Sequence, residues 1–284
     1  MKVVFVVLHY CQVNVTLGCI KSLLHLKGEK DIVVVDNASP DGSGAVLENK
    51  FINNDIVHVI LNDSNLGFAS ANNIGYAYAK NELKAEVVVV LNNDTVIKDD
   101  CFVEKLLSSP VLNKYHIIAP NIINKEGRHQ NPFMLKPRPY KEICSIYKQL
   151  GLLLFLYSIP VIGDIKANNS LSYNVMPAVN FEKAQEMIVP HGAAIIYTPL
   201  WINKESFAFY PGTFMYVEES LLYYYVMAHK YRTVYTPELE VYHLEDISTN
   251  TRFKKKRKKA LFQAKQKRKS YKVLMNFIEQ NHLI

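Results

Sequence analysis

Between Val3 and Leu91 the chain alternates apolar, β-branched runs with amphipathic stretches, and no other feature limits its fold as tightly. The runs are Val3–Leu8, Asp31–Asp36, Ile56–Leu61 and Glu86–Leu91. Val3–Leu8 is apolar without interruption, which predicts a strand covered on both faces. From Asn14 to Leu26, apolar residues recur at helical spacing, with Asn14 or Thr16 expected as the cap. Helices are likewise expected over Ser43–Asn53 and about Ala69–Asn81, and the cluster Asn37–Gly42 reads as a turn. Strands alternating with helices imply right-handed βαβ units, an α/β fold and a mostly parallel central sheet flanked by helices. At 284 residues the chain buries a full core without covalent staples.

The second half is less regular. Lys136–Pro139 is a proline-rich break, and Leu150–Gly163 is an uncharged run shorter than the roughly 20 residues a bilayer span takes. It reads either as a buried or partly disordered hairpin of apolar helix, or as a segment that touches a membrane or lines a lipid-facing groove. Further strands are expected at Ile188–Tyr197, Thr233–Tyr235 and Glu240–His243, and a helix at Glu218–Lys230. The net charge is +7, but twelve of the 33 basic residues fall between Arg252 and Lys272 with no acidic residue among them. The remainder is net acidic, so the basic balance is no nucleic-acid signal for the whole protein. Four cysteines without C-x-x-C spacing suggest reduced thiols in a cytosolic protein and argue against a zinc ribbon. The apolar run after Met1–Lys2 is too short for a signal-peptide core.

In an open α/β sheet, ligands bind beyond the carboxyl ends of the strands, where loops converge and helix N-termini point. Three polar clusters follow predicted strands: Asp36 with the Asn37–Asp41 turn, the loop Asn65–Asn73, and Asn92-Asn93-Asp94-Thr95. The first βα turn, Leu8–Asn14, holds no glycine, which disfavours a dinucleotide fingerprint, and a phosphate-cradling P-loop is absent from the sequence too. Nucleotide binding here would rest on carboxylates and a metal.

These segments carry a family resemblance. Val35-Asp-Asn-Ala-Ser-Pro-Asp-Gly-Ser43, Asn65-Leu-Gly-Phe-Ala-Ser-Ala-Asn-Asn-Ile-Gly75 and Leu91-Asn-Asn-Asp-Thr95 come first. His191-Gly-Ala-Ala194, Phe214-Met-Tyr-Val-Glu-Glu219 and Val241-Tyr-His243 follow in the same order. Together they resemble glycosyltransferase family 2, the inverting nucleotide-sugar transferases of the GT-A fold, and within it a rhamnosyltransferase-like bacterial branch. The resemblance implies a GT-A domain over residues 1–250, with a nucleotide-binding half to about 120 and an acceptor half beyond, followed by a basic amphipathic tail over 251–284. It implies a donor site built from Asp36, Asn37, Asn65, Gly67, Asn72, Asn92, Asn93 and Asp94. Asn92-Asn93-Asp94 occupies the place of the family's D-x-D motif, with an amide at the first position. Asp94 would then hold Mg²⁺ or Mn²⁺ together with His243, both ions preferring hard oxygen ligands.

Glu218-Glu219 matches the family's acidic pair, commonly Glu-Asp. Direct displacement at the anomeric carbon needs a base on the acceptor hydroxyl, and Glu219 is expected to serve, with Glu218 beside it. His191, Gly192, Trp201 and Tyr216 are expected on the acceptor side, with Phe209 and Tyr210 as further stacking faces. The implied partners are a nucleotide-sugar donor, dTDP-rhamnose or a UDP-hexose, and a glycan or lipid-linked acceptor of cell-surface polysaccharide synthesis; nucleic acid is not among them. The basic tail suits anionic headgroups, so the expected place is the cytoplasm, peripheral on the inner face of a bacterial plasma membrane. A solvated helix packing its apolar side on the domain is the other reading of that tail. Five Asn-x-Ser/Thr sequons, one inside the proposed metal motif at Asn93, also suit a cytosol and not a secretory lumen. The competing classes are a nucleotidyltransferase, for which the glycine-rich phosphate loop is missing, and a non-catalytic lipid- or nucleic-acid-binding protein, which would leave Asp94, Glu218, Glu219 and His243 without a purpose.

Overall fold

The computed structural model describes residues 1–159, 161, 164, 180–244 and 256–284. The Asn168 sequon, the end of the Leu150–Gly163 run, the start of the basic segment and the 250/251 boundary lie outside them.

The fully buried strand β1 (Val3–His9) forms the centre of the first half, paired in parallel to β2 (Lys30–Asp36) on one side and β4 (Val87–Asn92) on the other. Strand β3 (Val57–Leu61) extends the sheet beyond β2. Helices α1 (Val13–Leu24), α2 (Ser43–Phe51) and α3 (Phe68–Asn81) connect these strands as the alternation predicts. β5 (Thr95–Val96), α4 (Phe102–Ser108) and β6 (Ile117–Asn124) follow, then α5 (Tyr140–Ser158), β7 (Gln185–Glu186), β8 (Ala194–Tyr197) and α6 (Pro199–Ile202). The described chain closes with α7 (Glu218–Ala228), β9 (Thr233–His243) and α8 (Lys256–Gln280). The sheet runs β3-β2-β1-β4-β8-β6-β9-β5, with β7 on β9.

Six of these strands share one direction, while β8, β5 and β7 run against their neighbours, so the sheet is mixed. Period-two alternation splits the core: Val3, Phe5 and Val7 face α1, α2 and α4, while Val4 and Val6 face α3, α7 and α8.

Several expectations change. Neither Asn14 nor Thr16 caps α1; the helix starts after Cys11 and Gln12, both in the left-handed region, and the Thr16 hydroxyl pairs instead with His9 Nδ1 at 2.6 Å. Only Ala194–Tyr197 of the Ile188–Tyr197 run is strand. Thr233–Tyr235 and Glu240–His243 are one strand, passing Pro237 by a register shift against β6. Leu150–Ser158, the described helical part of the apolar run, continues α5. Of the two readings of the basic tail, its described part shows the packed helix: α8 buries Leu274, Phe277 and Ile278 in the second core layer and Ala264 against α5. At roughly 1.5–3 kcal/mol per fully buried large apolar side chain, that docking is substantial.

Candidate active site

The loops beyond β1, β2 and β4 meet the turn before α7, and a cleft opens between them. It has two lobes, of about 240 and 500 Å³. Phe68, Asn92, Met215 and Tyr216 line both lobes and form the waist between them.

The first lobe is built on the sequence-predicted donor residues. Asn37 Nδ2 donates to the Gly67 carbonyl at 3.2 Å, and its Oδ1 accepts from Leu66 N at 2.9 Å, which ties the β2 turn to the loop before α3. Asn65 Oδ1 accepts from Gly67 N at 3.1 Å. Gly67 has a φ of +83°, and a Cβ there would stand 2.2 Å from the Phe214 carbonyl oxygen, so the position admits only glycine. Phe68 N donates to that same carbonyl at 2.6 Å, stitching the donor loop to the turn that carries the acidic pair.

Two members of the predicted donor set do not line the lobe. Asp36 is 5% exposed and its carboxylate takes the Ser39 hydroxyl and amide, so it orders the turn behind Asn37. Asn72 is fully buried and donates to the Phe68 carbonyl at 3.0 Å, facing its own helix.

Asn92, Asn93 and Asp94 form the floor. Asn93 Nδ2 is spent on Thr16 Oγ1 at 2.9 Å. Asp94 Oδ1 lies 3.2 Å from His243 Nε2, and both residues are 8% exposed. The imidazole is oriented from behind, because Nδ1–H donates to Gln130 Oε1 at 2.8 Å. Nε2 then faces a carboxylate oxygen, and either a proton or a cation between the two atoms satisfies both. The donor set is therefore right for a divalent ion with a hard or intermediate preference, phosphate oxygens and water completing its shell.

The second lobe holds the acidic pair. Tyr216 and Val217, both at φ 74°, bend the chain sharply into α7, whose first two residues are Glu218 and Glu219. The Glu219 carboxylate accepts a hydrogen bond from the Gly192 amide, and burial raises its pKa. A Cβ on Gly192 would sit 2.8 Å from Glu219 Oε1, so the residue is small because the carboxylate leans on it. Burial, then the charge of Glu219, pushes Glu218 up to about 8. His191 Nδ1 accepts from Ala193 N at 3.1 Å, its ring stands 5.8 Å from that of His243, and burial followed by His243 lowers its pKa to about 3. It is a neutral imidazole in the wall of the second lobe.

Of the residues expected on the acceptor side, His191, Gly192 and Tyr216 line the second lobe and Trp201 does not. Its indole is fully buried and donates to the Phe207 carbonyl at 2.8 Å, among Tyr197, Tyr225 and Tyr231. Phe209 is fully buried as well, and Tyr210 packs on Phe277. The β8–α7 aromatics are core because they fill the layer between the sheet and α8. Sequence reasoning also missed lining residues: Tyr10, Gln130 behind His243, and Lys259, Phe262, Gln263 and Lys267 from α8. For the last four, the density of Lys and Arg concealed which side of the helix faces the protein.

Comparison with known proteins bears on the family and the fold. The family model described as Glycosyl transferase family 2 matches residues 4–161, more than half of the chain. The low-salt glycan biosynthesis hexosyltransferase Agl10 of Haloferax volcanii is 33% identical over 129 residues, 45% of this chain and 38% of that protein. Among solved structures, S. aureus TarS 1–349 in complex with UDP-GlcNAc has a TM-score of 0.54 at 16% identity, over 89% of this chain and 62% of that one. GalNAc-T7 with UDP, GalNAc and Mn²⁺ has a TM-score of 0.57 at 12% identity, over 87% and 44%. The chain therefore spans less than two thirds of the length of these relatives, and the structural likenesses speak to the GT-A fold alone. Glu218, Glu219 and His243 lie beyond the matched segment, Asp94 within it. Strand order, the loops at the sheet edge and the family match agree: the chain has the GT-A fold and belongs to glycosyl transferase family 2.

Proposed function

We propose that the protein is an inverting glycosyltransferase, moving a sugar from a nucleoside-diphosphate donor to a hydroxyl of a glycan or lipid-linked acceptor. The observation that carries this reading is the shared waist: Asp94, with His243 3.2 Å behind it, lines one lobe, and Glu219 lines the other. The donor would lie on Asn37, Asn65 and Gly67, with its diphosphate at Asp94 and His243. A divalent ion bound there would neutralise charge on the departing diphosphate, a contribution of several kcal/mol. Glu219 would take the proton of the acceptor hydroxyl while that oxygen bonds to the anomeric carbon from the face opposite the breaking C–O bond. Glu218, pushed up to about 8 by burial and then by the Glu219 charge, would keep its proton at neutral pH beside Glu219.

Agl10 is a hexosyltransferase of glycan biosynthesis by name, and TarS and GalNAc-T7 were solved with uridine nucleotides, which favours a UDP-sugar. The rhamnosyltransferase-like motifs keep dTDP-rhamnose as the other donor. No helix of the described residues is long and apolar enough to cross a membrane. The exposed Leu152 and Phe155 of α5, beside the basic α8, support peripheral contact with an anionic bilayer.

The test is a panel of UDP-, dTDP- and GDP-sugars with Mn²⁺ or Mg²⁺, followed by nucleoside diphosphate release. Metal-dependent release from one donor class, lost in Glu219→Gln, is expected. Absence of release and of nucleotide binding across the panel would overturn the reading.

A further inference from the structure

Helix α8 enters the cleft along a single stripe. Lys259, Gln263 and Lys267 recur at i, i+4 and i+8, so they share a face and span about 12 Å of helix axis. Lys259 and Gln263 line the donor lobe, and Lys267 lines the lobe of the acidic pair. Tyr216 stands between them at the waist, the Lys267 ammonium 5.1 Å from its ring centroid. The stripe is fixed in place: Ser270 Oγ donates to the Met215 carbonyl at 2.8 Å, and Leu274, Phe277 and Ile278 anchor the following turns in the core. Lys265, Lys269 and Lys272 border a different groove, beside Tyr147 and Leu154. The basic helix therefore divides its charge between two faces, and only one of them needs solvent or a membrane to explain it. Lys267 is paired with no carboxylate among the described residues, although Glu218 and Glu219 line the same lobe.

We propose that α8 is a phosphate-binding wall of the active site, with Lys259 directed at the donor diphosphate and Lys267 at a phosphate where the two lobes join. This rests on the transferase reading above and adds residues from outside the family-matched segment. Ammonium–phosphate hydrogen bonds are charge-assisted, and placing two of them one lobe apart suits a cleft in which negative charge builds on the leaving group. The Lys267 phosphate has two possible sources, the donor's own diphosphate or a phosphate carried by the acceptor.

Calorimetric titration of the full chain with inorganic pyrophosphate at fixed Mg²⁺, and with inorganic phosphate at saturating pyrophosphate, separates these. The variants are Lys259→Met, Lys267→Met and the charge-matched control Lys265→Met, each checked for native circular dichroism. Lys259→Met is expected to weaken pyrophosphate about tenfold or more, while Lys265→Met leaves it unchanged. Loss of pyrophosphate affinity in Lys267→Met assigns that lysine to the donor; loss only of the additional phosphate assigns it to the acceptor. Wild-type affinity for both anions in Lys259→Met and Lys267→Met, or an equal loss in Lys265→Met, overturns the proposal. The donor panel reads the transferase function independently, so turnover with unaltered anion binding would sink this inference alone.

Discussion

The Asp94 carboxylate and the His243 imidazole face each other at 3.2 Å, one from the turn after β4 and the other from the end of β9. The pairing of β5 with β9 makes this possible, because Thr95 stands opposite His243 in the register. Gln130 then holds the ring so that Nε2 points at the carboxylate. A strand ladder thus brings a carboxylate and an imidazole from distant parts of the chain together beneath one cleft.

Replacing the proposed base separates chemistry from binding. Glu219→Gln keeps the volume and the Gly192 contact but cannot accept a proton, so turnover should fall by roughly 10²–10⁴-fold with donor affinity retained. Gly192→Ala, whose new Cβ would crowd Glu219 Oε1, should lower kcat by displacing the same carboxylate. Steady-state kinetics with the donor found in the panel checks both; near-normal turnover in Glu219→Gln removes it from the base role.

Stability should fall as the pH rises through the range in which Glu218 ionises. Its folded pKa, about 8, exceeds the ordinary 4.5, so the folded state holds a proton that the unfolded chain releases. The resulting stability is full below about pH 4.5 and is lost as the pH passes 8, a difference on the order of a few kcal/mol. Thermal melts from pH 5 to 9 should show this decline in the wild type and a flatter profile in Glu218→Gln.

Trp201→Phe should act on stability and spare acceptor affinity. The substitution leaves the buried Phe207 carbonyl without its donor and costs about 1–3 kcal/mol. That corresponds to a Tm lower by several degrees, with an unchanged KM for acceptor at low temperature.

What the sequence disclosed, and what it did not, follows from how local each signal is. The strands from Val3 to Asn92 are legible because each is a nearly pure β-branched run between turn residues. Asp94, Glu219 and His243 are legible because short motifs carry them. The insertion of β8 between β4 and β6 depends on pairing between distant segments, which leaves no local trace. Trp201 illustrates the opposite error, since an aromatic near a site is equally suited to the core, and only the packing of α6 under α7 decides. In α8 the apolar residues Leu274, Phe277 and Ile278 signal docking, yet the preceding lysines dominate the pattern. Thr16 has the right chemistry for a cap, but His9 and Asn93 claim its hydroxyl.

The most direct test of the account is the Mn²⁺ electron paramagnetic resonance signal titrated with protein in the presence of UDP. The wild type should deplete the free-ion signal, and Asp94→Ala and His243→Ala, with unchanged thermal melts, should each require about tenfold or more protein to do so. Equal depletion by Asp94→Ala and the wild type would contradict a metal-held diphosphate at this pair of residues.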